Sequence, residues 1–286
     1  MSAALDPRVT PARPDLAAKH LEGKVAAARY VEGVVHQVIA PQAPLRHAPA
    51  HDVPLDTEAL RGERVTVYDD NGESWCWGQL ARDGYVGWLP AAALAPTIVE
   101  PTHRVAALRT FAFPGPSIKL PPLAVLSLGC AVAVARTEAE FAVTAQGEFL
   151  PRQHLAPLDG REPDFVAVAE RFVGTPYLWG GKTSLGIDCS GLVQVALAAA
   201  GRDAPRDSDM QERALGAPVE LRGDWSKVAR GDLIFWKGHV AIARDAASIV
   251  HANAFHMAVA VEPLAEAVRR IEAAGGKVRS IRRLAY

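Results

Sequence analysis

The chain has 286 residues, 49% of them hydrophobic, enough to bury a core and to build two or three domains. A formal net charge of -1 argues against a nucleic-acid surface or a polybasic membrane anchor. Three cysteines, Cys76, Cys130 and Cys189, are too few for a disulfide framework and fit a reducing compartment.

The N-terminus has no basic segment leading into an apolar one, so no secretory signal is expected. No apolar run approaches the roughly 18 residues that span a bilayer. The expectation is a cytoplasmic protein with neither nucleic acid nor membrane as partner. Residues 1–30 read as a Pro-rich arm, with helical spacing over Asp15–Leu21 that stops at Gly23.

Two β-rich regions follow. The first has runs at Glu63–Tyr68, Ser74–Leu80 and Tyr85–Trp88, and the second at Cys130–Ala135, Glu140–Thr144 and Glu148–Leu150. Alternating apolar residues between Asp/Asn/Gly turns indicate small antiparallel sheets. Each region closes on the same phrase. Leu89-Pro90-Ala-Ala-Ala-Leu94-Ala95-Pro96 is echoed by Leu150-Pro151-Arg-Gln-His-Leu155-Ala156-Pro157, at an offset of 61 residues (150 − 89 = 61). This reads as a duplicated small barrel, and two copies argue against a solenoid. Trp75, Trp77 and Trp88 are expected in the barrel core, and Cys76 and Cys130 are expected to be buried.

From about residue 160 helices and strands mix. Pro163–Phe172 has helical spacing with Gly174 as a stop, and Cys189–Ala200 is a helix ended by Gly201. Strands are expected at Asp232–Trp236, His239–Ala243, Ser248–His251 and Ala258–Val261. A helix over Leu264–Ala273 and a last strand near Val278–Ile281 complete the chain.

One cysteine has an unusual setting. Glycines precede Cys189, Asp188 sits directly before it and Ser190 directly after. At a helix start its sulfur faces unpaired N–H groups, which favours thiolate. A nucleophilic thiol also needs a base and a group to orient that base. His239 starts one strand and His251 ends the next. In a hairpin centred on Asp245 they lie opposite each other, on one face. Taken singly, Cys189 also reads as inert packing, His239 as a turn residue and His251 as a satisfied core histidine. One Cys and two His are a conceivable zinc set, but no short paired Cys/His spacing accompanies them.

The blocks Tyr177-x-Trp-Gly-Gly, Asp188-Cys-Ser-Gly-Leu-Val-Gln194, Pro205-Arg-Asp-Ser208-x-x-Gln211, Gly231-Asp-Leu-Ile-Phe-Trp236, Gly238-His239-Val and His251-Ala-Asn occur in that order. Together they resemble the NlpC/p60 family of cell-wall cysteine peptidases. The resemblance implies an α+β chain in which a circularly permuted papain-like domain follows two small SH3-like β-barrels. The boundaries expected are an arm or helix over 1–30, SH3-like domains over 31–98 and 99–158, and the peptidase over 159–286. It also implies Cys189 as nucleophile, His239 as base, His251 as orienting residue and Tyr177 near the oxyanion, with no cofactor and no metal.

The domain order is similar to the γ-D-glutamyl-L-diamino acid endopeptidases of murein recycling. The implied partner is a small murein peptide, L-Ala-γ-D-Glu-diamino acid, with a free amine. By that resemblance Asp188, Ser190 and Ser208 read the amine, joined by Tyr85 and an acid of the first barrel. The usual glutamate position falls near Pro54, so Asp56 or Glu58 is expected to substitute. The alternatives are another thiol amidase or acyltransferase on the same core, or an inactive peptide-binding SH3 protein.

Overall fold

The computed structural model describes residues 5–221 and 224–285. The first four residues of the expected arm lie outside that range. The chain divides into two compact units, Met1–Leu158 and Asp159–Tyr286.

The arm is not helical over Asp15–Leu21. Ala17–Ala18 instead pairs in parallel with Tyr30–Val31, and only a 3₁₀ turn forms, at Lys19–Leu21. The apolar stripe was too short to sustain an α-helix, because nucleation fixes a whole turn before propagation repays it. Leu16, Ala17 and Ala18 are fully buried all the same.

The first β region orders its five strands as Val86–Pro90, Trp75–Leu80, Arg64–Asp70, Val34–Val38 and Leu94–Ala95. A hairpin of Gln42–Leu45 and Thr57–Leu60 joins it through a bridge between Arg46 and Trp88. Val38, Leu45, Val65, Cys76, Leu80 and Leu89 make its core. Strand alternation puts Cys76 inside, so its neighbours Trp75 and Trp77 face the other way. This corrects the barrel-core expectation for the tryptophans. Trp75 and Trp77 are buried outside that core and Trp88 is half-buried. The arm supplies part of the cover, with the Arg13 guanidinium 4.5 Å from the Trp77 ring centre and 4.9 Å from that of Trp88.

The second β region repeats this plan. His103–Val105 takes the place of Val34–Val38, and the hairpin Arg109–Ala112 with Ala124–Ser127 that of the first hairpin. The meander is Val134–Glu138, Phe141–Thr144 and Phe149–Pro151. A bridge between Phe113 and Phe149 matches the one between Arg46 and Trp88. Register breaks fall after Val67 in the first copy and after Val134 in the second. The echoed phrase folds identically twice. Pro90 and Pro151 lead into 3₁₀ turns at Ala91–Ala93 and Arg152–His154, and Leu94 and Leu155 leave them in extended strands back to each region's first strand.

The second unit is built on one antiparallel six-stranded sheet. Its order is Ala217–Pro218, Ser280–Arg283, Leu233–Trp236, His239–Ala243, Ser248–Asn253 and Ala258–Pro263. The helices are α1 (Phe165–Glu170), α2 (Cys189–Ala199), α3 (Ser208–Ala214) and α4 (Leu264–Ala273). Helix α2 packs on the His239 and Ser248 strands and against α1. Helix α4 seals a cluster of Ile234, Trp236, Ala241, Ile249 and Ile281 with Leu264, Ala267 and Val268. Nearly all of α2 is buried, which suits a sequence of apolar and small residues all round.

Candidate active site

The loop before α2 is folded back on itself. Tyr177 bridges in parallel to Ile187, and the Asp188 N–H donates to the Gly181 carbonyl at 3.1 Å. Gly191, in the first turn of α2, lies against that same carbonyl, where a Cβ would collide with the oxygen. Glycine here lets the helix start sit directly on the loop.

Asp188 caps α2, accepting from the Gly191 N–H at 2.7 Å. Its other oxygen accepts from the Gly180 N–H at 2.8 Å. Arg206, 1% exposed, clamps both oxygens, at 2.9 and 2.7 Å, and also donates to the Ser190 hydroxyl at 2.9 Å. The Ser190 hydroxyl points back at Asp188, 3.3 Å away. These contacts give Asp188 and Ser190 a structural role beside the amine-reading one expected of them. Two backbone amides, a hydroxyl and two guanidinium nitrogens make five contacts to the two Asp188 oxygens. Arg206 is one residue that sequence reasoning missed, although it stands in the quoted Pro205-Arg206 block.

Gln211, fully buried, donates to the carbonyls of Ser190 and Pro205 at 2.9 and 2.8 Å, tying α3 to the start of α2. Ser208 is the first residue of α3 and is half-buried.

Cys189 opens α2 with its sulfur against the backbone N–H groups of Val240, next to His239, and of Ser190. Both N–H groups favour thiolate, as the helix-start argument anticipates. Burial and the Asp188 charge outweigh them and push the thiol up to about 12. The balance is understandable, since a helix end contributes at most about 2 kcal/mol, whereas removing an ion from water costs several kcal/mol. Burial and the Asp188 charge thus favour the thiol form of Cys189, against the thiolate expectation.

His239 and His251 do meet, but in a different register. Ile242 stands opposite Val250 and Ala243 opposite Ile249, with Asp245 closing the turn through the Ala247 and Ser248 N–H groups. Continued, that register puts His251 across from Ala241 and His239 across from Asn253. The pairing is slipped by two residues from the expected one, and a slip of two keeps both rings on one face. They touch on the diagonal, with His239 Nε2 and His251 Nδ1 2.9 Å apart.

Beyond His251 stands Glu262, which the sequence reading did not single out. Its Oε1 lies 2.7 Å from His251 Nε2 and also accepts from Arg270 of α4. Burial raises Glu262, but the hydrogen bonds from His251 and Arg270 more than compensate and hold it below the usual carboxylate range. Burial, His251 and Arg270 press His239 down to about 3. Burial also lowers His251, against the pull of Glu262. Both imidazoles are neutral at rest.

The Tyr177 hydroxyl is kept protonated by burial and by the neighbouring Cys189 and Asp188, so it remains a donor. Cys189, His239, His251 and Tyr177 are thus brought together in the second unit.

The proposed readers Tyr85 and Asp56 lie in the first unit. Tyr85 is 7% exposed within the barrel core, and Asp56 pairs with His47 at 3.0 Å. Glu58 is buried in the Thr57–Leu60 strand. Among the described residues, His251, His256 and Glu262 offer ligand atoms within 4.8 Å of one another. A cation there would compete with Arg270 and break the bond between Glu262 and His251, so the chemistry of this set suits hydrogen bonding better than metal.

Residues 45–94 match the model of the bacterial dipeptidyl-peptidase SH3 domain, and residues 174–272 that of the NlpC/P60 family. The chain is 29% identical over 242 residues to a Bacillus cereus protein named γ-D-glutamyl-L-lysine dipeptidyl-peptidase, covering 73% of this chain and 71% of the relative. It is 32% identical over 201 residues to the Bacillus subtilis protein of the same name, covering 64% of each chain. The crystal structure of an NlpC/P60 family protein from Bacillus cereus superposes with a TM-score of 0.72 at 22% identity, over 87% of this chain and 99% of that one. The chain therefore carries an NlpC/P60 peptidase domain behind a bacterial dipeptidyl-peptidase SH3 domain.

Proposed function

We propose that this chain is a cysteine peptidase that cleaves the γ-D-glutamyl-L-diamino acid bond of small murein stem peptides with a free N-terminal L-Ala. The hydrogen bond between His239 and His251, beside a Cys189 sulfur that accepts from the N–H of Val240 next to His239, carries the reaction class. The names of the Bacillus relatives support the bond.

In this reading the Cys189 sulfur attacks the γ-glutamyl carbonyl as its proton passes to His239. Transfer within the pair spares the pocket an unpaired charge, which is why a neutral resting state is compatible with attack. The Tyr177 hydroxyl and the Cys189 N–H donate to the developing oxyanion. His239 gives its proton to the leaving amine of the diamino acid, leaving a thioester. Water then adds with His239 as base and releases L-Ala-γ-D-Glu and the free thiol.

The second β region is proposed to be a second SH3-like domain, on the shared strand order, register break and closing phrase. Circularly permuted papain-like connectivity and a cytoplasmic recycling role belong to the same proposal. Asp188, Ser190 and Ser208 are proposed to read the amine, with Arg206 holding the Asp188 carboxylate in place.

Mass spectrometry of products from L-Ala-γ-D-Glu-L-Lys, its diaminopimelate analogue and the N-acetylated forms tests the reading. The dipeptide L-Ala-γ-D-Glu should appear from the free peptides and not from the acetylated ones. Equal cleavage of blocked and free peptides would point to a broader thiol amidase instead.

A further inference from the structure

Only one combination of proton positions satisfies the line of four side chains behind Cys189. Ionised Glu262 can only accept, so His251 Nε2 must carry a hydrogen and donate it across 2.7 Å. His251 is neutral, so its Nδ1 holds a lone pair. That lone pair faces His239 Nε2 at 2.9 Å, which must therefore be the protonated nitrogen of His239. The remaining nitrogen, His239 Nδ1, is then the free base. Arg270 fixes the origin of the line by donating to the same Glu262 oxygen, and its guanidinium is itself braced over the Phe255 ring, 4.2 Å from the ring centre.

We propose that Glu262, held by Arg270, is a positioning residue that sets the tautomers of both histidines and so leaves His239 Nδ1 unprotonated for Cys189. The inference rests on the reading of His239 as the base. Its placement supports it. Glu262 is 9% exposed and stands opposite Ile249, on the sheet face that carries His251. The other charged or titratable groups acting on His251 are Arg270 and His256: Arg270 only donates, and the His256 ring bonds to Asn253 at 3.0 Å, whereas His251 Nε2 bonds to Glu262. When His239 takes the thiol proton, the positive charge can spread along the same line toward the carboxylate. Glu262 is then worth more in the transition state than at rest.

The test uses the full chain and two variants. Glu262→Gln retains an acceptor oxygen for His251 and Arg270, whereas Glu262→Met retains none. Nitrogen-15 spectra of the histidine rings should show His239 protonated on Nε2 in the wild type and in Glu262→Gln, and a mixture of tautomers in Glu262→Met. Turnover should fall in the order wild type, Gln, Met, with the Met variant down by about 10–100-fold in kcat, the worth of one charge-assisted hydrogen bond. A purely packing role would instead favour Met, which fits an apolar setting, over Gln.

The inference is overturned if wild-type His239 carries its hydrogen on Nδ1, or if Glu262→Met keeps the wild-type tautomer and turnover. The ring spectra are read on the resting enzyme. They can therefore fail while Cys189→Ala still abolishes cleavage, which separates this claim from the peptidase reading.

Discussion

Cys189 and His239 are held neutral by one cause, burial, acting in opposite directions on an acid and a base. The pH consequence has a definite sign. Between 6.5 and about 3 the unfolded chain binds a proton at His239 that the folded one refuses, so stability falls as pH drops through that window. Above 9, toward about 12, the unfolded chain loses a Cys189 proton that the folded one keeps, so stability falls as pH rises. Urea unfolding of His239→Gln should show a weaker acid limb than the wild type, and an unchanged limb would contradict the shift. Alkylation of Cys189 by iodoacetamide in the resting enzyme should be slow near neutrality and accelerate above 9. Fast labelling well below 8 would show a thiolate instead. Tyr177→Phe should lower kcat by about 100-fold while leaving the fold intact, if its hydroxyl serves the oxyanion. At this scale the sequence was most legible where chemistry demands rare residue types in a set order, as with Cys189, His239 and His251. Glu262 and Arg206 were not legible, because their roles depend on which strand or loop folds beside which, and single charged residues are common on surfaces.

The loop and the α2 start behave as one element. Gly191 on the Gly181 carbonyl, the Asp188 cap and the Arg206 clamp together decide where the sulfur points. Arg206→Met leaves Asp188 buried without its counter-charge and should cost about 3–5 kcal/mol of stability. Retention of wild-type stability would mean that Asp188 is solvated after all. Helix α2 was readable from its Gly201 stop, while its Asp188 cap emerged only in the structure. The hairpin register was not, because a turn centred on Asp245 and one shifted along the chain serve the same alternation. Parity survived the slip, so the two histidines still met. The short stripe at Asp15–Leu21 was misread because backbone pairing with Tyr30–Val31 offered those residues a better partner than a lone helical turn.

Across the whole molecule, duplication is the clearest structural echo of the sequence. Most of each copy was invisible beforehand. The first strands and the hairpins of both regions lack strong alternation, while the closing phrase, with its proline and small residues, marks each end. The two copies are joined within their unit by Arg61 and Glu148, paired at 2.9 and 2.6 Å with both side chains mostly buried. Glu148→Ala should therefore destabilise that unit by roughly 1.5–3 kcal/mol in chemical unfolding, as expected for a charge-assisted pair. A change near zero would make the contact incidental. The central claim concerns the other unit, that Cys189 forms a thioester with the γ-glutamyl group. Intact-protein mass spectrometry of the enzyme quenched in acid during turnover of L-Ala-γ-D-Glu-L-Lys tests it most directly. The account predicts a dipeptidyl adduct mapping to Cys189 in the wild type, and neither adduct nor product from Cys189→Ala. Product formation by Cys189→Ala at the wild-type rate would contradict it.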